Sequence, residues 1–272
     1  MSDETGSAPV TPAKSVPTAS PRTENQVLVV FTILLPLGIF AAAWFIEPGW
    51  SYMSTAGVLT LFLAMLGYTL TGSPFGVLIS ERNLMSLSRF QAVVWTVIVL
   101  AGYLTMVVAR VRAGTPDATS VSIPQELWWA MGISSTSLLG TPLLQAAKRL
   151  KTPDAKLLQS TASQLGENPE SVETRRQGTL YANASVLDAR MADIFQGDEV
   201  GDTAHIDLAK VQMFYFTAIA AVSYFVDLSM AVRRGETQAL PALSQGFVAL
   251  LAISHGGYLV SKSTDHSNAR PT

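Results

Sequence analysis

The strongest constraint on this chain is where its charges are missing. Six runs, Val27–Ile46, Ser54–Thr71, Phe90–Ala109, Leu127–Gln145, Val211–Ala231 and Leu243–Ser261, hold about 117 residues and a single Asp, Glu, Lys or Arg, which is Asp227. Each run is long enough to cross about 30 Å of hydrocarbon at about 1.5 Å per helical residue. The chain as a whole is 14% charged, against about 25% in soluble domains. This pattern excludes a water-soluble enzyme, a disordered chain and a basic nucleic-acid-binding protein. It predicts an all-α polytopic membrane protein with six transmembrane helices, partnered first by the lipid bilayer and not by nucleic acid.

The side chains that remain narrow the chemistry. Cysteine is absent, which removes disulfides, Cys-ligated zinc, iron–sulfur clusters and thiol catalysis. With His205, His255 and His266 as the only histidines, a multi-His metal site is hard to build. The sequence has no phosphate loop, nucleophile elbow, His-Glu-x-x-His or dinucleotide fingerprint. No catalytic residue, metal or cofactor is therefore expected.

Lys and Arg near the span ends set the orientation. Lys14, Arg22, Arg82, Arg89, Lys148, Arg149, Lys151, Lys156, Lys210, Lys262 and Arg270 fall on one side, with Arg110, Arg112, Arg233 and Arg234 on the other. The first side is predicted to be cytoplasmic, with both termini there and the protein in the inner or plasma membrane. Trp44, Trp50, Trp128 and Trp129 lie near the outer span ends, as interfacial aromatics do.

Residues 1–24, rich in Ser, Thr, Pro and Ala, read as a disordered tail without a cleavable signal peptide. Residues 25–80 form an N-terminal transmembrane hairpin, in which Pro36 should kink the first span. Its second span could run on through Gly72-Ser73-Pro74 into an interfacial Phe75–Ile79. Residues 146–210 form a cytoplasmic insertion with 18 charges. Helix-compatible stretches at Pro153–Leu165 and Thr179–Phe195 suggest a small helical hairpin without a core of its own. Residues 263–272 form a C-terminal tail.

Residues 81–145 and 211–262 carry an internal repeat. Leu87-Ser88-Arg89-Phe90-Gln91, then Trp95-Thr96 and Tyr103, match Leu208-Ala209-Lys210-Val211-Gln212, then Phe216-Thr217 and Tyr224, at identical spacing. Later blocks contain Gly132-Ile133-Ser134 and Ala252-Ile253-Ser254, preceded by Pro124 and Pro241. Two helices per copy make these parallel helical-hairpin repeats rather than inverted ones. Arg89 and Lys210 should sit at the interface as basic anchors, with Gln91 and Gln212 able to bridge helices. Gly132, Thr136 and Gly140, like Ala252 and Gly256, recur every fourth residue and favour close packing within the chain or between subunits. The mid-span hydroxyls Ser134, Ser135, Thr136 and Ser137 can bond back to their own helix.

These signatures resemble a group of bacterial multi-pass membrane proteins of unassigned function, with Leu-x-Arg/Lys-x-Gln, an aromatic and Thr, and a following Gly-Ile-Ser helix. The resemblance covers about Leu87–Lys262, including the Asp193–Asp207 lead-in, and omits the first hairpin. Ala252 stands where Gly is usual, and Lys210 where Arg is commoner. The resemblance implies a helical membrane fold and carries no activity.

An ionisable residue within a span is a functional candidate. Asp227 falls near the outer interface, where Arg233, Arg110 or Arg112 could pair with it or where it could attract cations. His255 lies in the inner half, too far away for a direct pair, as a neutral histidine bonded between helices or one facing a water-filled cavity. The run Asp198, Glu199, Asp202, His205, Asp207 matches no calcium loop and reads as a solvated linker whose Asp207 caps the fifth span. Three functions are consistent with this sequence. An oligomeric ion or small-solute pore, as a homo-oligomer, would use Ser134, Ser135, Ser137 and Ser254 as lining and Asp227 for cation bias. A scaffold would hold a cytoplasmic protein partner on the insertion. The third is a carrier.

Overall fold

A computed structural model of the chain describes residues 21–268, 270 and 271. It is mostly helical, in the order α1 (Pro21–Phe45), α2 (Pro48–Thr71), α3 (Leu87–Arg112), α4 (Gln125–Lys148), α5 (Ala155–Leu165), α6 (Pro169–Arg175), α7 (Leu208–Arg233) and α8 (Gln245–Ser263). The disorder expected of 1–24 lies outside the described residues up to 20, and α1 already begins at Pro21 and continues through Pro36.

The six apolar runs fall on α1–α4, α7 and α8. Three of these helices, α2 over Gly49–Thr71, α3 and α7, are long and apolar enough to cross a membrane. In α1 the apolar stretch is Thr32–Phe45. Polar residues lower the mean hydropathy of α4 and α8, and many of those residues face inwards. On α4, Ser134, Ser137, Thr141, Gln145 and Lys148 are buried, whereas Leu139 and Leu143 are exposed. On α8, Ser254, His255, Tyr258 and Lys262 are buried, whereas Ile253 and Val260 are exposed.

The main apolar core lies at the end of the bundle away from the insertion. Tyr52 and Ala56 of α2 meet Trp95, Ile98 and Met106 of α3, Tyr224 and Leu228 of α7, and Leu251 of α8. The loops at that end join: Ser122 N–H donates to Gln238 O at 2.9 Å, and Leu240 N–H to Ser122 O at 2.9 Å. Arg233 leaves α7 to donate to Gly49 O at 3.1 Å and lies over the Trp50 ring.

α3 and α7 each run for 26 residues behind a side-chain N-cap. Ser86 Oγ accepts from Arg89 N–H, and Asp207 Oδ1 from Ala209 and Lys210 N–H, the cap expected of Asp207. The matched positions differ in burial, however. Gln91 and Trp95 are buried while Gln212 is exposed, and Thr217 is buried while Thr96 is exposed. The small-residue pattern makes no close helix approach at Gly132 or Gly256, where an added Cβ would meet open space.

The second apolar run does not continue as helix beyond Thr71. Gly72 adopts φ 74° and stops the helix, and the chain folds back through a 3₁₀ turn at Gly76–Leu78. A Cβ on Gly76 would lie 2.7 Å from Gly67 O, so glycine is needed for this close approach. Backbone pairing of Ile79 with Met85 then closes a tight turn with Arg82 near its tip.

The insertion corrects one expectation. Thr179–Phe195 is not one helix but two 3₁₀ turns, Val186–Asp188 and Met191–Ile194. Leu180 is drawn into bridges with Gln177 and Glu199. Asp188 and Asp193 accept the N–H groups of Ser185 and Arg190, each ending a local turn that competes with a continuous helix. The insertion also has an apolar cluster, in which Leu158, Ala162, Val172, Tyr181 and Val200 pack with Leu84 of the preceding loop. The C-terminal segment docks on it: Lys151–Thr152 (β1) pairs antiparallel with Arg270–Pro271 (β2), and Asp154 N–H donates to Ser267 O at 3.0 Å.

Candidate functional site

Three chain segments meet around Asp198 where the insertion joins the bundle. Arg82 is held from the 79–85 turn, its Nη1 donating to the carbonyls of Tyr181 and Asp198, each at 3.0 Å. Its Nη2 lies 2.6 Å from Asp198 Oδ1. Lys210, in the first turn of α7, is 3.3 Å from the same oxygen and also donates to Gln196 O. Lys262, in the last turn of α8, is 3.0 Å from Asp198 Oδ2 and donates to the Tyr258 hydroxyl. The three cationic side chains are only 5–7% exposed. Burial alone would raise the Asp198 pKa, but the positive charges of Lys210, Lys262 and Arg82 outweigh it and hold the carboxyl well below the usual range.

Beside this cluster lies a cavity of about 400 Å³. Arg82, Arg89, Lys210 and Lys262 line it against only Glu81 and Asp198. The start of α3 at Ser86–Arg89 and the α4 residues Leu138, Thr141, Pro142 and Gln145 complete the wall. Gln145 is 6% exposed and its Nε2 has no partner. Pro142 cannot supply an N–H to the Leu138 carbonyl, which leaves that acceptor to other partners.

From the cavity a polar seam enters the bundle along α4. Ser137 and Ser134 continue the face of Gln145, and Gln145 to Ser134 spans about 16 Å of helix. Ser254 and His255 are the buried polar residues at mid-length on α8, and Gln91 and Trp95 are buried on α3. Gln91 Nε2 donates to Thr217 Oγ1 at 2.7 Å, and the His255 ring bonds the Leu251 carbonyl through Nδ1 at 2.8 Å. The hydroxyls of Ser134, Ser137 and Ser254, Gln91 Oε1, Trp95 Nε1 and His255 Nε2 are buried without a protein partner.

The structure buries four of the sequence candidates, Ser134, Ser254, Gln91 and His255, and places the others differently. Ser135 and Gln212 are exposed. Asp227 is exposed on α7 and forms no ion pair among the described residues, contrary to the expected pairing, because Arg233 turns towards α2 and Arg110 towards Asp117 O. His255 bonds its own helix rather than a neighbouring one. Arg89 stays half-exposed, 4.0 Å from Glu81. Lys210 is not an interfacial anchor but a buried ion-pair residue, its depth set by Asp198.

The acidic run is likewise not a solvated linker. Asp198 and Glu199 are held in ion pairs, Glu199 with Lys148, which also donates to Thr264 O at 2.7 Å. Asp202 accepts Glu199 N–H at 2.8 Å. Burial pushes the Asp202 carboxyl up to about 6, its Glu199 N–H bond and His266 oppose the rise, and the Asp198 and Glu199 charges add to it.

In the sequence, Arg82 and Lys262 bear only on orientation, and Gln145 and Tyr258 have no assigned role. The recurrence of Ser134, Ser137, Thr141, Gln145 and Lys148 at intervals of three and four was the available signal. Comparison with protein-family models, curated proteins and solved structures finds no match.

Proposed function

We propose that this is a cell-membrane protein whose long helices α1–α4, α7 and α8 all cross the bilayer, with both termini and the insertion on the cytoplasmic side, and that a small solute moves through each protomer along the polar seam. The carrying observation is the line of buried polar atoms without protein partners. A polar group left unsatisfied in a dry interior costs about 1–3 kcal/mol, so a row of them favours a hydrated path. The inverted faces of α4 and α8, apolar outside and polar inside, suit lipid as the surrounding solvent. The path lies inside one chain, which replaces the shared oligomeric pore by an intramolecular route open to channel or carrier kinetics.

The test is flux in proteoliposomes with potassium, chloride, protons and inorganic phosphate as probes. Flux of at least one above empty liposomes is expected. Asp227→Asn, outside the seam, is expected to leave it unchanged. Absence of flux for every probe under any voltage or pH removes the reading, and a fall in Asp227→Asn returns the path to a shared pore.

A further inference from the structure

We infer that the cavity beside Asp198 is a binding site for a phosphate-type oxyanion, carried by a soluble compound or by a phospholipid headgroup. The inference deepens the solute-path reading by naming the group received at the mouth of the seam. Binding in detergent is measured without flux, so the two ideas fail separately.

Three buried cations share one carboxylate here. Of the nearby acids, Asp198 alone meets these three cations directly: Glu81, on the cavity wall, is half-exposed and engaged with Arg149 at 2.6 Å. Asp193 is turned to the N–H groups of Met85 and Arg190, and Asp207 caps α7. Buried cations that share a single directly paired carboxylate gain from a further anion, and the adjoining cavity provides room for one. The donors available are those an oxyanion uses. Gln145 Nε2 and Arg82 Nε are buried without partners, Arg89 stands at the wall, and the first turn of α3 adds its N-terminal dipole. Charge-assisted bonds from guanidinium and ammonium groups are the strong ones. Part of the wall, at Val77, Ala92, Val93 and Leu138, is apolar, which leaves room for the non-ionic part of the ligand.

The test is calorimetric titration of the full-length protein in detergent with sodium phosphate, against sodium chloride at matched ionic strength. A parallel arm measures retention of phosphatidylglycerol over phosphatidylcholine by native mass spectrometry. Lys262→Gln and Gln145→Met are each expected to weaken binding about tenfold, and Lys156→Gln, on the exposed face of α5, to leave it unchanged. Gln145→Met breaks no ion pair and keeps the test valid should Lys262→Gln misfold. Phosphate binding supports a soluble ligand, and selective phosphatidylglycerol retention supports a headgroup. Binding of neither, or binding indifferent to both site variants, overturns the assignment.

Discussion

Asp198→Asn is expected to destabilise the protein by about 3–5 kcal/mol, the cost of breaking a buried ion pair from one side. The substitution keeps the shape of the side chain and removes only its charge. Arg82, Lys210 and Lys262 then lose the one carboxylate they share. Arg82 keeps its carbonyl partners and Lys210 keeps Gln196 O, so the loss is electrostatic before it is geometric. These residues come from the 79–85 turn, the insertion and the facing ends of α7 and α8, so the junction of insertion and bundle weakens as a unit.

The pH dependence carries the same signature. The folded-state pKa of Asp198 is depressed, so its stabilisation is complete above the unfolded value of 3.8 and is lost as the pH falls through the lower folded value. Asp202 acts in the opposite sense. Its carboxyl is raised to about 6, so its contribution is present below 3.8 and is lost as the pH rises through about 6. Thermal unfolding in detergent across pH 2–8 should show the Asp198→Asn deficit at neutral pH and its disappearance in strong acid. A deficit equally large at every pH would assign the damage to packing instead.

The second large effect is on the seam. Ser134→Val with Ser254→Val is expected to lower flux about tenfold or more, because apolar side chains at a narrow polar constriction favour dewetting. Both positions are buried within one chain, so the loss should persist when protomers are diluted in lipid. Stability separates the alternatives. In a dry seam the wild-type hydroxyls would each carry an unsatisfied penalty of about 1–3 kcal/mol, and valine would stabilise the protein markedly. In a hydrated seam stability barely changes while flux falls.

Much of the architecture was legible because lipid makes a simple demand. A helix crossing it must hide its charges, and the six apolar runs fall on long helices, three of them long and apolar enough to cross a membrane. What sequence could not show was the direction in which each helix faces. Gln91 and Gln212 occupy equal places in the two matching sequence motifs, yet one is buried against Thr217 and the other exposed. Lys210 looked like a snorkelling cation because its partner Asp198, in the preceding loop, comes into reach only through loop geometry. Arg82 and Asp198 are far apart in sequence and meet through two folded connections, so no local spacing announces them. The 179–195 stretch had helical apolar spacing, but its Ser and Asp side chains favoured short capped turns.

The most direct test uses the absence of cysteine from the native chain. Single cysteines at Ser134, Ser137 and Ser254, with outward-facing Thr136 and Ile253 as controls, can be probed in sealed vesicles with a membrane-impermeant thiol reagent. The account predicts modification at the three seam positions from the insertion side, slowed when the cavity is occupied by phosphate, and none at the two controls. Seam cysteines that stay unmodified from that side, in a protein that folds and inserts normally, would contradict a hydrated path within the protomer.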